Sequence, residues 1–495
     1  MADITLVNMN MLYVRYYDSV EKELHVPLGT LYLTRILEDA GVKVDFRDYQ
    51  LNTYDDPFSV ENVCDFLSDS SDLVGVSVMA NLMPFALYAL KVFKEKNPNK
   101  TIVLGGVGPK SVEKMILERF PWIDAIAMGE GEHMIVPMVN AFKKKEGWKN
   151  VPNMFWRTDD GTIIENEPAP RITDLDTIPF PAWHRIDLKK YDGYGVMTSR
   201  GCPYPCTFCS VAPIWGHKAY HRSNDNIIAE MAELKKRAGV DLFLFQDEFF
   251  LFSPEGVTEF CNSLESSGLG VDWKAFGRIN LSTTEMMKRM AETGCIELRF
   301  GIESGSDAVL EKCRKGFTSE EAVAIVSEGV KIFDRVDAFY VWGFPFETMD
   351  DFNKSVFQMI SFRMMGSRIL PSLLCFLPQT DIFIEYGDNG KALEFCRELF
   401  PEYMLTGHEI CKTARVEIDP KHAQFFDFIE KHPDIFPGFF HYNLEENVFP
   451  KLKVLQEMGF YPADSTEVDQ TDSCGAHSPR VGQATTAKAQ LSASK

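Results

Sequence analysis

The sequence lacks any apolar run close to the roughly 20 residues that a membrane-spanning helix needs. Its first residues, MADITLVNMN, carry an acid where a secretory signal would carry basic residues. Both absences favour a cytoplasmic protein with no membrane span. With 495 residues, of which 45% are hydrophobic and 25% charged, the chain has the composition of a globular protein of two or three domains.

Clusters of Lys and Arg are missing as well. The chain has 51 basic and 72 acidic residues, which gives a net charge of −21 at neutral pH. Nucleic-acid binding depends on clustered basic groups that neutralise phosphates. We therefore expect a small-molecule substrate and no nucleic-acid partner.

Most of the 11 cysteines are widely separated and are expected to be small buried hydrophobes. Cys202, Cys206 and Cys209 differ, because they form a CxxxCxxC pattern within SRGCPYPCTFCS, residues 199–210. In a reducing cytosol such close spacing indicates a metal rather than disulfides. A [4Fe–4S] cube held by three thiolates leaves one iron open to a small molecule. The alternative is a zinc site that borrows a distant fourth ligand.

Strand and helix patterns alternate along the first part of the chain. The segments ITLVNM, VKVDFRDY, LVGVSVM and TIVLGGV are typical of buried strands, and segments with helical periodicity lie between them. This predicts a doubly wound α/β domain whose ligands lie beyond the carboxyl ends of the strands. NMFWRTDDGTIIENE then predicts a hairpin with an Asp-Gly turn, followed by a Pro-rich connector.

From YGVMTSRG onward, roughly six further strand–helix units predict an open, partial barrel instead of a closed eight-stranded one. An aromatic-rich helical segment and a small, polar tail expected to be disordered follow. The predicted regions are 1–148 (Rossmann-like domain), 149–194 (hairpin and connector), 195–385 (partial barrel), 386–464 (helical capping segment) and 465–495 (tail).

The triplet loop resembles that of the radical S-adenosylmethionine (SAM) superfamily, which also carries an aromatic residue where this chain has Phe208. The resemblance continues across 195–385 through the strand-end motifs FQDEFF, RINL, FGIESGSDAVL, WGFPFET and FLPQT, in that order. It implies a partial (β/α)6 barrel and a [4Fe–4S] cluster on the three cysteines, whose open iron binds SAM. It also implies reductive cleavage of SAM to a 5′-deoxyadenosyl radical, with an electron donor such as flavodoxin or ferredoxin.

The resemblance implies a set of residues near the strand ends that contact SAM or the substrate: Phe208, Gln246, Asp247, Glu248, Arg278, Glu303, Ser304, Gly343 and Pro345. Arg278 is expected to face the SAM carboxylate. Structural alternatives remain for three of these residues. Arg278 would instead pair with a barrel carboxylate, Glu303 would cap a turn, and Gly343 would serve turn geometry alone.

The N-terminal domain resembles the cobalamin-binding domain of B12-binding radical SAM proteins. HVPLGTLYLTRILEDAG, VGVSVM, LGGVGP and AMGEGE match its pattern in order across 25–132. The expected cobalamin contacts lie at strand ends, where the broad corrin needs close backbone approach: Ser77, Gly105, Gly106, Gly108, Gly129, Glu130 and Gly131. The DxHxxG motif that supplies a cobalt ligand in many cobalamin enzymes is absent, and His25 lacks its context. If cobalamin binds, cobalt is expected to lack a protein histidine beneath it; loss of the cofactor is the alternative.

IWGHKAYHRS, residues 214–223, is the densest basic stretch, and it follows the cysteine loop. It is expected either to meet an anionic substrate or the cobalamin periphery, or to form a salt-bridge set at the barrel rim. Tyr204, Trp215 and Phe249 are candidate pocket residues. The many Phe and Tyr in 386–460 favour an apolar or aromatic substrate.

Three functions are compatible with these motifs. The first is methylation of an unactivated carbon of a small molecule, in the manner of class B radical SAM methyltransferases. The second is cobalamin-dependent ring formation or rearrangement, and the third is an iron–sulfur or cobalamin sensor without turnover. Methylthiolation of tRNA is disfavoured, because the N-terminal domain has no second cysteine triplet and the net charge is strongly negative.

Overall fold

The computed structural model describes residues 2–9, 24–191, 194–245, 247, 249–250, 253–387, 393–397, 399 and 423–461. Gln246, Glu248 and the 465–495 tail lie outside the described residues, so the expectations for them stay predictions. Within the described part, no helix has both the length and the apolar character required to cross a bilayer.

The N-terminal domain is a seven-stranded sheet with helices on both faces. Its strands are β1 (Ile4–Met9), β2 (Val44–Asp48), β3 (Leu73–Val78), β4 (Thr101–Gly105), β5 (Ala125–Ala127), β6 (Met154–Arg157) and β7 (Ile163–Glu165). Its helices are α1 (Leu28–Asp39), α2 (Val60–Phe66), α3 (Met83–Lys96), α4 (Glu113–Arg119) and α5 (Ile135–Lys144). The strand order is β2-β1-β3-β4-β5-β6-β7. The first five strands are parallel, and the order reverses between β1 and β3, where doubly wound folds bind ligands.

The predicted hairpin is present, but it is part of this sheet. β6 pairs antiparallel with β5, and β7 with β6, so the sheet extends to Glu165, beyond the boundary predicted at residue 148. Apolar side chains explain this placement, since Met154 and Phe155 are buried in the domain core. A chain segment with its own hydrophobic face packs on the nearest sheet edge instead of remaining a linker.

The partial barrel is confirmed. Its strands are β8 (Tyr194–Gly195), β9 (Ser199–Arg200), β10 (Tyr220–His221), β11 (Leu242–Phe245), β12 (Asp272–Gly277), β13 (Cys295–Glu303), β14 (Arg335–Trp342) and β15 (Arg368–Leu373). Its helices are α6 (Val211–Trp215), α7 (Asn224–Ala238), α8 (Pro254–Ser267), α9 (Thr284–Glu292), α10 (Asp307–Lys312), α11 (Ser319–Ile332), α12 (Met349–Met365) and α13 (Asp381–Tyr386). Six strands form one parallel sheet in the order β15-β14-β13-β12-β11-β8, while β9 and β10 pair separately.

The C-terminal segment is helical in part and contains two short strands that the sequence pattern did not predict. It comprises β16 (Leu393–Phe395), α14 (Ala423–Glu430), β17 (Phe440–Tyr442), the π-helix Leu444–Val448 and α15 (Phe449–Glu457). β16 and β17 are antiparallel, with Phe395 opposite Phe440.

This segment contacts both domains. Phe426 and Ile429 join the core of the N-terminal domain, and the Tyr88 hydroxyl donates to Gln424 Oε1 at 2.7 Å. Leu452 and Leu455 join the barrel core instead. The segment therefore bridges the two domains, whereas the sequence pattern predicted a cap on the barrel alone.

Candidate active site

The cysteine loop is closed at its base by the antiparallel pair β9–β10. Gly201 enters the loop at φ +98°, where a Cβ would lie 2.6 Å from the Lys218 carbonyl oxygen, so only glycine fits. The buried Asp247 fixes the strand that leads into the loop. Its Oδ1 accepts the backbone N–H groups of Thr198 and Ser199, both at 2.7 Å. Asp247 also lines the cavity described next, but these contacts give it an anchoring role that the sequence did not indicate.

All three thiols line one cavity of about 310 Å³. Burial raises the pKa of the Cys209 thiol to about 11. Cys206 Sγ lies 3.9 Å from Arg278 Nη1 and 3.9 Å from the Arg314 carbonyl oxygen. Within the described ranges, no three His, Cys, Asp or Glu groups converge on a point that could hold one ion. Thiols spread around a cavity fit a cube, because each thiolate then binds a different iron.

Arg278 faces this cavity without a carboxylate partner among the described residues. Its guanidinium lies 3.5 Å from the centroid of the Tyr204 ring, and its Nη2 donates to the carbonyl of Lys315. Its Nε is buried and has no hydrogen-bond partner. Arg278 thus forms no structural ion pair with a described carboxylate. Its buried, unpaired Nε–H fits an anionic ligand group such as the SAM carboxylate.

Glu303 ends β13 with φ +69°, a conformation that side-chain-bearing residues adopt at a cost. Its Oε1 accepts from Lys315 Nζ at 2.9 Å, and both residues are buried and line the cavity. The sequence reasoning missed Lys315, since no motif or spacing marks it. Ser304 points elsewhere: its hydroxyl is 2.9 Å from the Ser355 hydroxyl, and Ser304 does not line the cavity.

Phe208 and the loop after β14 pack together. Phe208 lines the cavity, and its ring lies 5.8 Å from that of Phe344. Gly343 precedes Phe344 at φ +86°, and a Cβ there would lie 2.8 Å from Leu373 Cδ1. Pro345 lies in the turn that follows. Neither Gly343 nor Pro345 lines the cavity directly.

A second cavity, of about 230 Å³, lies at the carboxyl ends of the N-terminal strands. Six of the expected cobalamin contacts line it: Ser77, Gly105, Gly106, Gly129, Glu130 and Gly131. Gly108 does not; its N–H donates to the Val78 carbonyl at 3.0 Å, which is a structural contact. At Gly106, with φ +85°, a Cβ would lie 2.6 Å from the same carbonyl oxygen. The glycine-lined wall thus gives the close backbone approach that a corrin needs.

The second cavity also contains residues that the sequence did not single out. Lys110 and Glu113 line it, and burial raises the pKa of Glu113 above its ordinary value. No histidine is among the described residues that line the cavity. His25 lies before α1, where its carbonyl accepts from Gln50 Nε2 at 2.8 Å. The expectation that cobalt would lack a protein histidine stays a prediction.

Arg200, two residues before the first cysteine, lines the second cavity. Arg200 is buried and pairs with Glu130 at 3.2 Å and with Glu132 at 2.5 Å, both from the GEGE loop. Trp215 lines the second cavity, and the Arg200 guanidinium lies 5.5 Å from the centroid of the Trp215 ring. The cysteine loop therefore forms part of the wall of both cavities.

The basic side chains of the stretch 214–223 have different surroundings. Arg222 forms a buried ion pair with Glu230 at 2.5 Å, as the salt-bridge alternative predicted. Lys218 Nζ lies 4.9 Å from the centroid of the Tyr220 ring. Burial lowers the pKa of His221 to about 4.

Comparison with known proteins identifies the family. A model of the radical SAM superfamily matches residues 196–359, and a model of the B12 binding domain matches residues 18–138. The chain is therefore a radical SAM enzyme. It belongs to the B12-binding members of that superfamily, as the motifs predicted. The radical SAM domain implies a [4Fe–4S] cluster and SAM, and the B12-binding domain implies cobalamin.

Several curated proteins resemble the chain. An uncharacterized methyltransferase, PH0819 of Pyrococcus horikoshii, is 29% identical over 67% of this chain and 72% of its own length. An anaerobic magnesium-protoporphyrin IX monomethyl ester cyclase of Synechocystis is 30% identical over 62% of this chain and 63% of its own length. Cytidylyl-2-hydroxyethylphosphonate methyltransferase of Streptomyces wedmorensis is 26% identical over 64% of this chain and 69% of its own length.

Solved structures show the same fold. The radical SAM methyltransferase TsrM of Kitasatospora setae superposes with a TM-score of 0.64 at 18% identity, covering 80% of this chain and 79% of TsrM. The cobalamin-dependent SAM radical enzyme OxsB gives a TM-score of 0.62 at 18% identity, covering 87% of this chain and 66% of OxsB.

Proposed function

We propose that the protein is a cobalamin-dependent methyltransferase that methylates an unactivated carbon of a small molecule. One observation carries the proposal. The segment from Arg200 to Trp215 places three cysteines on the first cavity and its two end residues on the second. A substrate bound next to this segment would therefore be within reach of both cofactors.

The chain's own residues would bind and orient these groups. Cys202, Cys206 and Cys209 would hold the cluster, and the unpaired Nε of Arg278 would meet the SAM carboxylate. When bound, the cluster, SAM and cobalamin supply reductive SAM cleavage, hydrogen abstraction and methyl transfer. Holding several groups in line and excluding water is the protein's share of such catalysis.

Apolar side chains of the first cavity support an apolar or aromatic substrate group. The cavity is lined by Phe249, Phe250, Phe276, Leu281 and Met286, together with charged groups and the three cysteines. Apolar walls with a few convergent polar groups are typical of small-molecule sites. An external donor such as flavodoxin or ferredoxin would supply the electron.

Ring formation is the second candidate, because relatives that cover a large share of the chain carry the cyclase name. The two reactions leave different products from SAM. A methyltransferase that uses a second SAM for methyl donation accumulates S-adenosylhomocysteine together with 5′-deoxyadenosine. A cyclase that only abstracts hydrogen accumulates 5′-deoxyadenosine alone.

The test is anaerobic reconstitution with iron, sulfide and cobalamin, followed by incubation with SAM and a reductant. We expect 5′-deoxyadenosine and S-adenosylhomocysteine to form once a substrate is supplied. Anaerobically purified protein that contains zinc in place of iron and sulfide, or that forms no 5′-deoxyadenosine, would rule out radical chemistry. Failure of a folded protein to take up hydroxocobalamin would rule out methyl transfer through cobalamin.

A further inference from the structure

The C-terminal segment reaches into the loop that follows β14 and holds the peptide groups of one glycine. Asn447 Nδ2 donates to the Gly343 carbonyl oxygen at 2.9 Å, and the Gly343 N–H donates to Glu347 Oε2 at 3.1 Å. Asn447 lies 104 residues beyond that glycine, so tertiary structure alone creates the contact. The backbone N–H and C=O of Gly343, which has φ +86°, therefore both have hydrogen-bond partners.

A buried charge supports these bonds. Lys451 Nζ donates to Glu347 Oε2 at 2.7 Å, to the Glu347 carbonyl at 3.0 Å and to Asn447 Oδ1 at 2.5 Å. The side chains of Lys451 and Glu347 are 1% and 0% exposed. Burying a charge pair this completely is costly unless the geometry supplies several hydrogen bonds. The second carboxylate oxygen of Glu347 is buried and has no hydrogen-bond partner.

The π-helix Leu444–Val448 positions the Asn447 side chain next to the Gly343 carbonyl. Asn443 begins the π-helix at φ +48°, and its side chain accepts the Glu446 N–H at 3.1 Å. A π-helical turn is rare and occurs frequently at functional sites. Asn447 also donates to the Tyr442 carbonyl at 3.2 Å, so its amide bridges β17 and the barrel loop.

The loop held in this way contacts the cysteine loop. Phe344, directly after Gly343, packs against Phe208 between the second and third cysteines. Tight packing transmits small displacements, because protein cores have little free volume. The position of Gly343 is thus tied on one side to the cysteine loop and on the other to the C-terminal segment.

We propose that Asn447, which bonds Gly343 directly, and Lys451, which acts through Glu347, are positioning residues for SAM binding. They hold the loop whose Phe344 packs against Phe208, and Phe208 lines the cavity with the three cysteines. The barrel of this chain is then completed by residues 443–451, outside the range that the radical SAM pattern covers. This inference rests on the proposed SAM chemistry. It adds that SAM affinity depends on a segment that the motifs do not include.

The test uses the reconstituted holoenzyme and measures the EPR signal of the reduced cluster without SAM and during titration with SAM. Asn447→Ala removes the donor to Gly343 and leaves a buried carbonyl unpaired, so SAM affinity is expected to fall at least about fivefold. The EPR signal without SAM should stay that of the wild type, because no described hydrogen bond of Asn447 or Lys451 goes to a cysteine. Lys451→Met should act in the same direction.

Lys453→Met is the matched control, since Lys453 lies on the same helix with its side chain 77% exposed; it should bind SAM as the wild type does. If Asn447→Ala does not fold, Asn447→Ser removes the reach to Gly343 with a milder change. Wild-type SAM affinity in folded Asn447 variants overturns the inference, as does a cluster signal that is already altered without SAM. A wild-type protein that gives no SAM response contradicts the proposed function itself.

Discussion

At the scale of single residues, the first cavity combines three thiols with side chains whose polar groups are incompletely paired. Arg278 keeps a buried unpaired nitrogen, and Glu303 keeps a strained backbone. Such features are costly in a resting fold and are typical of binding sites. Two predictions follow from this arrangement.

Cys206→Ala should abolish the brown iron–sulfur absorption and SAM cleavage, because two thiolates hold a cube poorly. The measurement is the absorption spectrum, the iron and sulfide content and the yield of 5′-deoxyadenosine. Cys396→Ala is the control, since Cys396 packs against the barrel core away from the cavity. A Cys206 variant that still cleaves SAM would contradict the cluster assignment.

Arg278→Lys should lower SAM affinity about tenfold, because a lysine loses the planar fork and the stacking on Tyr204. The dissociation constant for SAM of the reconstituted enzyme checks this. Arg289→Lys is the control, as Arg289 pairs with Glu265 at an exposed site. Equal SAM affinities for the two variants would remove Arg278 from the SAM site.

At the scale of elements, strand ends and loop glycines form the second cavity. The sheet reverses its strand order between β1 and β3, and the loops after β3, β4 and β5 supply the walls. The C-terminal strands β16 and β17 instead pack against both domains. β17 also contains a buried histidine, His441.

Gly106→Ala should weaken cobalamin binding and lower stability, because its Cβ would meet the Val78 carbonyl. Gly161→Ala is the matched control. Gly161 has φ +86°, almost the same as Gly106, but nothing lies within 4 Å of its Cβ position. The control should lose about 1 kcal/mol of stability through backbone strain and keep its cobalamin affinity. Titration with hydroxocobalamin measures the cobalamin affinity, and thermal melting measures the stability. Full cobalamin uptake by Gly106→Ala would contradict the assignment of the second cavity as the cobalamin site.

His441 should make stability depend on pH. Burial lowers its pKa to about 4, against about 6.5 when unfolded, and its Nε2 lies 2.8 Å from the Leu399 carbonyl. The folded state therefore favours the neutral ring. The linked stability is complete above about pH 6.5 and is lost as the pH falls toward 4, with roughly 1.4 kcal/mol gone by about pH 5.5.

The check is thermal melting of the wild type and of His441→Gln between about pH 8 and about pH 5.5. The variant should be less stable at the upper end, and its melting temperature should fall less on acidification. Parallel curves for the two proteins would show that His441 does not titrate in this way.

At the scale of the whole molecule, the GEGE loop of one domain and the cysteine loop of the other are joined by buried charges. Arg200 pairs with Glu130 and Glu132, and all three are almost fully buried. The C-terminal segment makes a second connection. The relative placement of the two cavities thus depends on a few specific contacts.

Arg200→Met should destabilise the protein by about 3–5 kcal/mol, because it leaves the buried carboxylates of Glu130 and Glu132 without their positive partner. Arg185→Met removes the partly exposed pair between the connector and Glu38 of the N-terminal domain, and should cost at most about 1 kcal/mol. Thermal melting and limited proteolysis of the 149–194 region measure both variants. Similar stabilities would show that the Arg200 pairs do not hold the domains together.

The fold class was predictable because its signals are local. Continuous apolar strands such as β1 and β3 and the strand-end motifs each lie within a few residues of chain. Lys315, Asn447 and Lys451 were not predictable, since each acts on a partner brought close only by folding. The same holds for Asp247, expected at a ligand and found to accept hydrogen bonds at the entry to the cysteine loop.

The order of residues alone determined the three-thiol loop, the glycines at strand ends and the succession of an α/β domain and a partial barrel. These depend on spacing and on hydrophobic period, which no distant contact needs to complete. Only the tertiary structure decided that the hairpin extends the first sheet, that Arg200 pairs with the GEGE loop and that residues 443–451 contact the loop after β14. Those outcomes depend on burial and charge pairing between segments tens to hundreds of residues apart, where sequence spacing carries no information about distance.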